Sequence, residues 1–261
     1  MAIITLTTDL GVHDSYLASV KATIYTQVED IKIVDISNSV EPFNILQAAY
    51  IIRNCYKDFP LGTIHIISVD DELTLLKEHL VVYADGHYFI GSDNGLFSLI
   101  FNETLPEKIF RLTMSLTTNC MTFSAKNIFA PAACHLARGG TLEIIGVPID
   151  SFETKKIDLK AVIEPDMIRG SVVYIDSYGN AITNIKKDEF EYLKRDRSFR
   201  IIFGREDEII SKISNKYSDV STAEKLAIFG EKKQLQIAIN RGHADKLLGL
   251  KLYEIIRIEF K

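Results

Sequence analysis

The sequence contains no tryptophan, only three cysteines and six prolines, and no long uninterrupted apolar run. Cys55, Cys120 and Cys134 are odd in number and far apart, and none forms a Cys-x-x-Cys pair, which argues against a disulfide framework or a zinc knuckle. No apolar stretch reaches the roughly 18 residues needed to span a bilayer, and the first residues lack a basic segment and a small-residue cleavage site. We therefore expect a soluble, non-exported, cytoplasmic protein with reduced thiols and no membrane partner.

The chain also lacks an excess of positive charge. Its 30 Lys and Arg against 35 Asp and Glu give a formal net charge of -5, which makes nucleic acid an unexpected partner. A length of 261 residues with 47% hydrophobic residues is typical of a globular protein of one large or two modest domains. Residues 1–165 carry a net charge of -8 and residues 166–261 a net charge of +3, which would suit a ligand held between the halves, although chance also produces such asymmetry.

Short apolar segments alternate with amphipathic helical segments over the first 150 or so residues. Strands are predicted at residues 3–7, 31–36 and 62–69, and helices at residues 15–27, 44–56 and 127–138, the last with Asn127 as its N-cap. The alternation predicts an α/β domain, a mostly parallel sheet with crossover helices. Asp85-Gly86 is a two-residue turn signal that predicts an appended antiparallel hairpin.

The pattern changes to a period of two after a strand-poor stretch. Strands are predicted at residues 171–176, 181–185, 199–203, 226–229, 235–240 and 252–260. They indicate a smaller, mainly β domain, a barrel or a sandwich. We expect an N-terminal domain of residues 1–155, a linker of residues 156–170 and a C-terminal domain of residues 171–261.

Acidic and polar side chains follow the predicted parallel strands. They are Asp9 and Asp14 after the first strand, Asp35 after the second, residues 70–72 after the third, and residues 92–95 after the hairpin. Ligands of open α/β sheets bind beyond the carboxyl ends of the strands, so these turns converge on one candidate site. Any one of them could instead simply end a strand or cap a helix.

No pattern typical of a common cofactor site is present. The first strand is not followed by Gly-x-Gly-x-x-Gly, and the chain has no Gly-x-x-x-x-Gly-Lys-Ser/Thr. The consecutive acids at residues 70–72 could hold Mg²⁺ together with Asp9, but such a run is more often a solvated turn. The six histidines are dispersed, so we expect no zinc site.

The loop of residues 176–180, Asp-Ser-Tyr-Gly-Asn, separates two predicted strands. Tyr178 could stack on a planar ring, and Asn180 offers both a donor and an acceptor for a base edge. The same pattern could be an ordinary hairpin turn containing Gly and Asn.

Taken in order, these stretches resemble the S-adenosyl-L-methionine hydroxide adenosyltransferase family, the relatives of fluorinase and chlorinase, over nearly the entire chain. The matching stretches are residues 7–11 with Asp14 and Tyr16, then 33–36, 48–49, 59–64, 91–96, 122–123, 128–133, 176–185 and 235–240. The resemblance implies an α/β domain, a β domain and a homotrimer. It also implies S-adenosylmethionine as substrate, bound between the N-terminal domain of one subunit and the C-terminal domain of its neighbour, with no metal and no other cofactor.

The resemblance also implies individual roles. Asp9 would take the ribose hydroxyls with Asp14 supporting its turn, Tyr178 would stack on adenine, Asn180 would lie nearby, and Asp176 would receive the substrate ammonium. The remaining positions that the resemblance places among the substrate-binding residues are Asn94, Thr122, Phe123 and Ala238.

The catalytic positions depart from the family pattern. The hydrolases of the family carry an Asp in a Pro-Gly-Val-Gly loop, an Arg and a His, and this chain has Asp70, Lys77 and Ser124 at those positions. Lys77 keeps a positive charge without the planar fork, and Ser124 can bond to water without acting as an imidazole base. The family's Asn-Ser pair at the methionine end is replaced by Gly230-Glu231, whose carboxylate would repel a substrate carboxylate unless a neighbouring lysine compensates.

Three functions fit this pattern. The leading hypothesis is hydrolysis of S-adenosylmethionine to adenosine and methionine, with Asp70 and Lys77 orienting the water and Ser124 assisting. A non-catalytic trimer that binds the nucleoside or S-adenosylmethionine is the second, and an adenosyl-transferring enzyme with another nucleophile or substrate is the third.

Overall fold

The computed structural model describes residues 2–74, 77–102, 104–113, 122–155, 160–204 and 209–261. Cys120 lies outside these ranges. The chain divides into two units, residues 1–156 and residues 157–261. Within the described ranges, no helix has the length and apolar character needed to cross a membrane.

The first unit is a seven-stranded sheet with helices packed on both faces. Its strands are β1 (Ile3–Thr8), β2 (Lys32–Ser37), β3 (Ile64–Ser68), β4 (His79–Ala84), β5 (His87–Ser92), β6 (Lys108–Leu112) and β7 (Gly146–Pro148). Its helices are α1 (Tyr16–Gln27), α2 (Ile45–Arg53), α3 (Leu96–Ile100), α4 (Ala130–Ala137) and α5 (Leu142–Ile145), with a 3-10 turn at Tyr56–Asp58 and a π-helical segment at Ala125–Phe129.

The strand order is β2-β1-β3-β5-β4-β6-β7. The first four strands of this order are mutually parallel, and β4, β6 and β7 pair in the antiparallel sense. The predicted α/β class and the hairpin are confirmed, with Asp85 and Gly86 both at positive φ (50° and 77°) as a type I′ turn requires. Because β4 lies beyond β5, the connection from β3 to β4 crosses the carboxyl end of β5.

The start of the predicted helix at residues 127–138 is wrong. Asn127 is not an N-cap, because it lies inside the π-helical segment Ala125–Phe129, which continues directly into α4. Pro131 has no N–H with which to form the α-helical bond to the carbonyl of Asn127. The backbone is π-helical up to Phe129, and Pro131 then lies in the first turn of α4, where a missing N–H is tolerated.

The second unit is built on a nine-stranded sheet. Its strands are β8 (Val162–Glu164), β9 (Met167–Ile175), β10 (Ala181–Lys186), β11 (Phe199–Phe203), β12 (Ile209–Ile210), β13 (Ile213–Ser214), β14 (Lys225–Phe229), β15 (Gln234–Ile239) and β16 (Ile255–Phe260). Helices α6 (Lys187–Lys194) and α7 (Ala244–Leu247) and a 3-10 turn at Tyr217–Asp219 complete it.

This sheet has the order β12-β11-β16-β9-β10-β15-β14-β13, with β8 paired to β9. Strand β12 lies beside β14, so the sheet is nearly closed and barrel-like, and the predicted β domain is confirmed. Strand β9 begins at Met167, four residues before the predicted strand, because the short β8 pairs with its first residues. Helix α6 was not predicted from the sequence. Its two buried residues, Phe190 and Leu193, are spaced three residues apart, as is typical of one face of a helix.

Candidate active site

The turn after β1 places Asp9 at the carboxyl edge of the first unit. The backbone N–H of Asp9 donates to the carbonyl of Ser68 at the end of β3 (3.2 Å), and Thr8 Oγ1 donates to Asn38 Oδ1 (2.9 Å). Bonds to two neighbouring segments therefore fix the position of this carboxylate. Asp14 is exposed and bonds to no side chain of the described residues, so its expected support of the turn stays a prediction.

Phe43 is a neighbour of Asp9 that the sequence did not indicate. Its backbone N–H donates to Asp9 Oδ2 at 3.0 Å, its φ is 66°, and its ring is 74% exposed. A left-handed φ is uncommon outside glycine, so the backbone of Phe43 adopts an unusual conformation. The residue that bonds to the carboxylate expected to bind ribose therefore also carries an exposed aromatic ring.

Asp70 and Lys77 face each other in the connection from β3 to β4. Lys77 Nζ lies 2.7 Å from Asp70 Oδ1, and the two side chains are 30% and 32% exposed. Asp70 has a φ of 50°, and the side-chain amide of Asn94 donates to the carbonyls of Val69 (3.1 Å) and Asp70 (3.0 Å). The buried Asn94 thus holds this left-handed turn from the end of β5.

Ser124 lies deeper than expected for a group that contacts water in a pocket. It is 1% exposed, and its hydroxyl donates to the carbonyl of Asp71 at 2.7 Å. The Nε2 of His79, a residue that is 2% exposed, bonds to the same carbonyl at 2.8 Å. Sequence reasoning missed His79, because a histidine at the start of a strand gives no signal of the loop that it contacts.

Asp71 has a perturbed carboxyl group at this edge. Burial raises its pKa, a hydrogen bond from Ser68 Oγ to Oδ2 (2.5 Å) opposes the rise, and the charges of Asp9 and Asp70 add to it. Burial also lowers the pKa of His79, so its ring is neutral near pH 7. The edge of the first unit therefore combines three carboxylates and an ammonium group, and a buried neutral imidazole bonds to a carbonyl of its loop.

Two further predicted binding residues directly precede Ser124 in the chain. Thr122 is exposed, and Phe123 is half-buried with its ring edge-on to Tyr16, the ring centroids 5.5 Å apart. Phe123 also packs against the core cluster between the sheet and helices α1 and α4. Its position therefore ties the segment before the π-helix to the start of α1.

The loop of residues 176–180 in the second unit is organised around its own first residue. Asp176 Oδ1 accepts from the backbone N–H groups of Tyr178 (3.0 Å) and Asn180 (2.9 Å), and Oδ2 accepts from Asn180 Nδ2 (2.9 Å). Asn180 is 4% exposed, whereas the ring of Tyr178 is 75% exposed. The carboxylate of Asp176 therefore holds the loop in a conformation that exposes the ring of Tyr178. The side-chain amide of Asn180 donates to Asp176 within the loop.

Gly179 allows the loop to turn. Its φ is 77°, and a Cβ at this position would lie 2.3 Å from Asp245 Oδ1 and 2.6 Å from His243 Nδ1. The N–H of Asp245 donates to the carbonyl of Gly179 at 3.0 Å, which seats the loop on the start of α7. Only glycine fits both the conformation and the space.

Three other residues of the second unit bear on the expected site. Burial raises the pKa of Tyr217, as do the neighbouring Asp176 and Tyr178, so a second tyrosine that the sequence did not indicate lies at this loop. Ala238 is fully buried against Leu226 and Ile228. Glu231 is exposed on the turn between β14 and β15.

Metal ligation has little support in the described ranges. They contain no group of three or more His, Cys, Asp or Glu side chains placed to hold a metal ion. The carboxylates of Asp9, Asp70 and Asp71 instead accept hydrogen bonds from a backbone N–H, an ammonium group and a hydroxyl.

The two units together define a class of protein. It has an α/β domain with acidic loops at the carboxyl ends of its parallel strands, followed by a β domain with a loop that exposes a tyrosine ring. Residues 4–146 match the SAM hydroxide adenosyltransferase N-terminal domain, and residues 170–257 match the SAM hydroxide adenosyltransferase C-terminal domain. The chain belongs to the SAM hydroxide adenosyltransferase family, as its sequence motifs predicted.

Named relatives and a solved structure agree with this assignment. The chain is 29% identical to an (R)-S-adenosyl-L-methionine hydrolase of Methanocaldococcus jannaschii over 73% of this chain and 69% of the relative. It is 28% identical to an (R)-S-adenosyl-L-methionine hydrolase of Thermus thermophilus over 93% and 94%. A crystal structure of an uncharacterized conserved protein from Thermotoga maritima superposes with a TM-score of 0.88, at 30% identity and over 99% of both chains.

Proposed function

We propose that this protein hydrolyses S-adenosyl-L-methionine to adenosine and L-methionine by attack of water on the ribose C5′ carbon. Family membership and the relatives named as hydrolases support this reaction. The observation that carries it for this chain is the ion pair between Lys77 Nζ and Asp70 Oδ1 at 2.7 Å. Lys77, which stands where the hydrolases of the family have arginine, therefore pairs with Asp70 at the carboxyl edge of the sheet.

The chemistry requires little covalent assistance from the protein. The water oxygen forms a bond to C5′, the bond from C5′ to sulfur breaks, and its electron pair stays on sulfur to give neutral methionine. One proton of the water must leave. The sulfonium is already a good leaving group, so the site has mainly to hold the water in line and partly desolvated. Asp70 and Lys77 would orient the water, and Ser124 would assist by fixing the loop.

The substrate-binding roles follow from the same proposal. Asp9 would accept hydrogen bonds from the ribose diol with the oxygen not used by Phe43, and Asn94 would hold the loop beside it. Tyr178 would stack on adenine with its exposed face, and Asp176 would receive the substrate ammonium. Asn180 would act through Asp176, and Thr122 and Phe123 would line the site. The expected binding role of Ala238 is wrong, because Ala238 is fully buried against Leu226 and Ile228.

The proposal includes a homotrimer. Its site would combine the carboxyl edge of the first unit from one protomer with the loop of residues 176–180 from a neighbour. The opposite net charges of the two halves of the sequence support such an arrangement. The cytoplasm is the compartment we propose, because Cys134 is a buried thiol and such groups suit a reducing environment.

A non-catalytic nucleoside-binding trimer is the second candidate. The observation that favours it is Ser124, whose hydroxyl is committed to the carbonyl of Asp71 and which supplies no imidazole. A protein of this kind would keep the Asp9 turn and the Tyr178 loop and release no product.

The deciding experiment is chromatography of purified protein incubated with S-adenosylmethionine. We expect adenosine and methionine in equal amounts above the buffer blank, without added metal or halide. Isothermal titration with adenosine runs in parallel. Binding without product formation would support the non-catalytic trimer, and absence of both by folded protein would contradict the two candidates.

A further inference from the structure

Three buried side chains converge on one residue of the connection between β3 and β4. Ser68 Oγ donates to Asp71 Oδ2 at 2.5 Å, and His79 Nε2 and Ser124 Oγ bond to the carbonyl of Asp71 at 2.8 and 2.7 Å. Their exposed fractions are 1%, 2% and 1%. Burying a polar side chain costs free energy unless it is hydrogen-bonded, and here all three bonds fix the backbone and the carboxyl group of a single aspartate.

The chemistry of the acceptor defines the state of His79. A carbonyl oxygen only accepts hydrogen bonds, so Nε2 carries the proton. The ring also stacks edge-on against Phe129, with centroids 4.7 Å apart, which leaves it little room to turn. His79 is therefore a neutral donor that positions the loop, and it does not itself reach the open edge.

The three carboxylates of this edge differ in what they bond to. Asp9 accepts from the backbone of Phe43, and Asp70 accepts from the ammonium group of Lys77. Asp71 accepts from the hydroxyl of Ser68 and from its own backbone N–H, so its carboxyl group is bonded to uncharged donors only. Because a carboxylate has about four lone-pair sites, Asp71 is a rigidly held carboxylate that can still accept a proton.

We propose that Asp71 is the group that accepts the proton of the attacking water, an inference that rests on the hydrolase function proposed above. As the water oxygen bonds to C5′ and the electron pair of the C5′–S bond moves to sulfur, one water proton passes to the carboxylate of Asp71. The proton is returned to solvent after adenosine leaves. Ser68, His79 and Ser124 are positioning residues for this carboxylate.

The surroundings make Asp71 a stronger base than an exposed aspartate. Burial and the charges of Asp9 and Asp70 raise its pKa, which increases its affinity for a proton. The charged and titratable groups around it are Asp9 at the end of β1, Asp70 and Lys77 in the same connection, and His79 at the start of β4. The neutral His79 adds no positive charge that would oppose proton uptake.

The first test is Asp71→Asn, which keeps an oxygen to accept from Ser68 and removes the base. We expect kcat for adenosine release to fall at least about 100-fold, as is typical for loss of a general base, while adenosine binding stays close to wild type. Glu78→Gln is the matched control, because it also removes one carboxylate near this connection but one that pairs with Arg111. We expect wild-type kcat for the control.

The second test uses the pH profile of kcat/KM in Ser68→Ala. The hydroxyl of Ser68 stabilises the charged carboxylate and so lowers the pKa of Asp71. Its removal raises that pKa, and the acidic limb of the profile should move to higher pH while the alkaline side is unchanged. A merely structural role of Ser68 would lower the whole profile without moving the limb.

The outcomes separate the two proposals. If wild-type protein makes adenosine and Asp71→Asn retains its kcat, or the acidic limb of Ser68→Ala does not move, the assignment of Asp71 is wrong and the hydrolase function stands. If wild-type protein binds adenosine but makes none from S-adenosylmethionine, both fall. Should Asp71→Asn fail to fold, as judged by circular dichroism, the limb of Ser68→Ala decides alone.

Discussion

The ammonium group of Lys77 lies 2.7 Å from the carboxylate of Asp70, seven residues earlier in the same connection. Both side chains are about a third exposed, at 30% and 32%. Exposed ion pairs typically contribute about 1 kcal/mol or less to stability. The pair is therefore better placed to organise a ligand site than to hold the fold together.

Lys77→Met should separate these roles. We expect kcat to fall by about tenfold or more, because Asp70 loses the cation that orients it, with only a small change in melting temperature. Lys77→Arg retains the charge and adds a planar fork, so it should keep or raise activity. Stopped-time adenosine assays and thermal unfolding provide the two readouts. Equal activity of the methionine and arginine variants would contradict this role.

Gly179 offers a test of the aromatic loop. Gly179→Ala forces a Cβ to within 2.3 Å of Asp245 Oδ1 at a φ of 77°, so the loop must move and Tyr178 with it. We expect weaker adenosine binding by titration calorimetry. The control is Gly139→Ala, which has a φ of 83° but no atom within 4 Å of the added carbon. It should lose about 1 kcal/mol of stability, because alanine is disfavoured at a left-handed φ, and it should bind normally.

The proposed homotrimer predicts that two inactive variants can complement each other. Asp9→Asn and Tyr178→Ala alter different units, and each variant alone should be inactive. If a site takes Asp9 from one protomer and Tyr178 from another, unfolding and refolding the two variants together should restore part of the activity. The same treatment of each variant alone is the control. Light scattering gives the oligomeric state, and the absence of any restored activity would place both residues in the same protomer's site or outside it.

A buried histidine pair sets the response of the first unit to acid. His65 is 0% exposed and stacks on Phe89, and its ring centroid lies 5.3 Å from that of His87. Burial, and then the charge of His87, lowers the pKa of His65 to about 3. The unfolded chain takes up the proton near its ordinary pKa of about 6.5, so protonation favours unfolding.

Stability should therefore be full above about pH 6.5 and decline as the pH falls from there toward about 3. Urea unfolding at a series of pH values measures this decline. His65→Gln should have a lower stability at pH 7 but a flatter dependence between those limits. An unchanged slope in this variant would assign the acid sensitivity to other groups, among them His79 and His87, whose pKa values burial also lowers.

Local signals in the sequence were enough for much of the fold. The Asp85-Gly86 turn was predictable because type I′ geometry needs two residues at positive φ. Strand β11 was predicted at its observed bounds, Phe199–Phe203, because four of its five residues are apolar, and every second residue is buried. The π-helical start of the segment before α4 was not predictable from periodicity, because it depends on the carbonyl that Pro131 leaves without its usual donor.

The candidate site was predictable only in part. Strand ends indicated Asp9 and Asp70, since the carboxyl edge of a parallel sheet is defined by order along the chain. Phe43 and His79 gave no such signal, because their contacts join residues 34 and eight positions apart through folding. The hydrogen bonds from Asn180 to Asp176 and from Ser124 to Asp71 were likewise not predictable, since a sequence does not show which of several acceptors a side chain contacts.

The connection from β3 to β4 crosses the end of β5, so the candidate catalytic residues lie outside the strands that form the sheet. The strands on either side are set by their hydrogen-bonded neighbours, whereas residues 69–71 of the connection are held by side chains of Asn94, Ser124 and His79. Substitutions along that connection can exchange one reactive group for another without altering strand register. Divergence of chemistry at constant architecture is thus a direct result of the strand order.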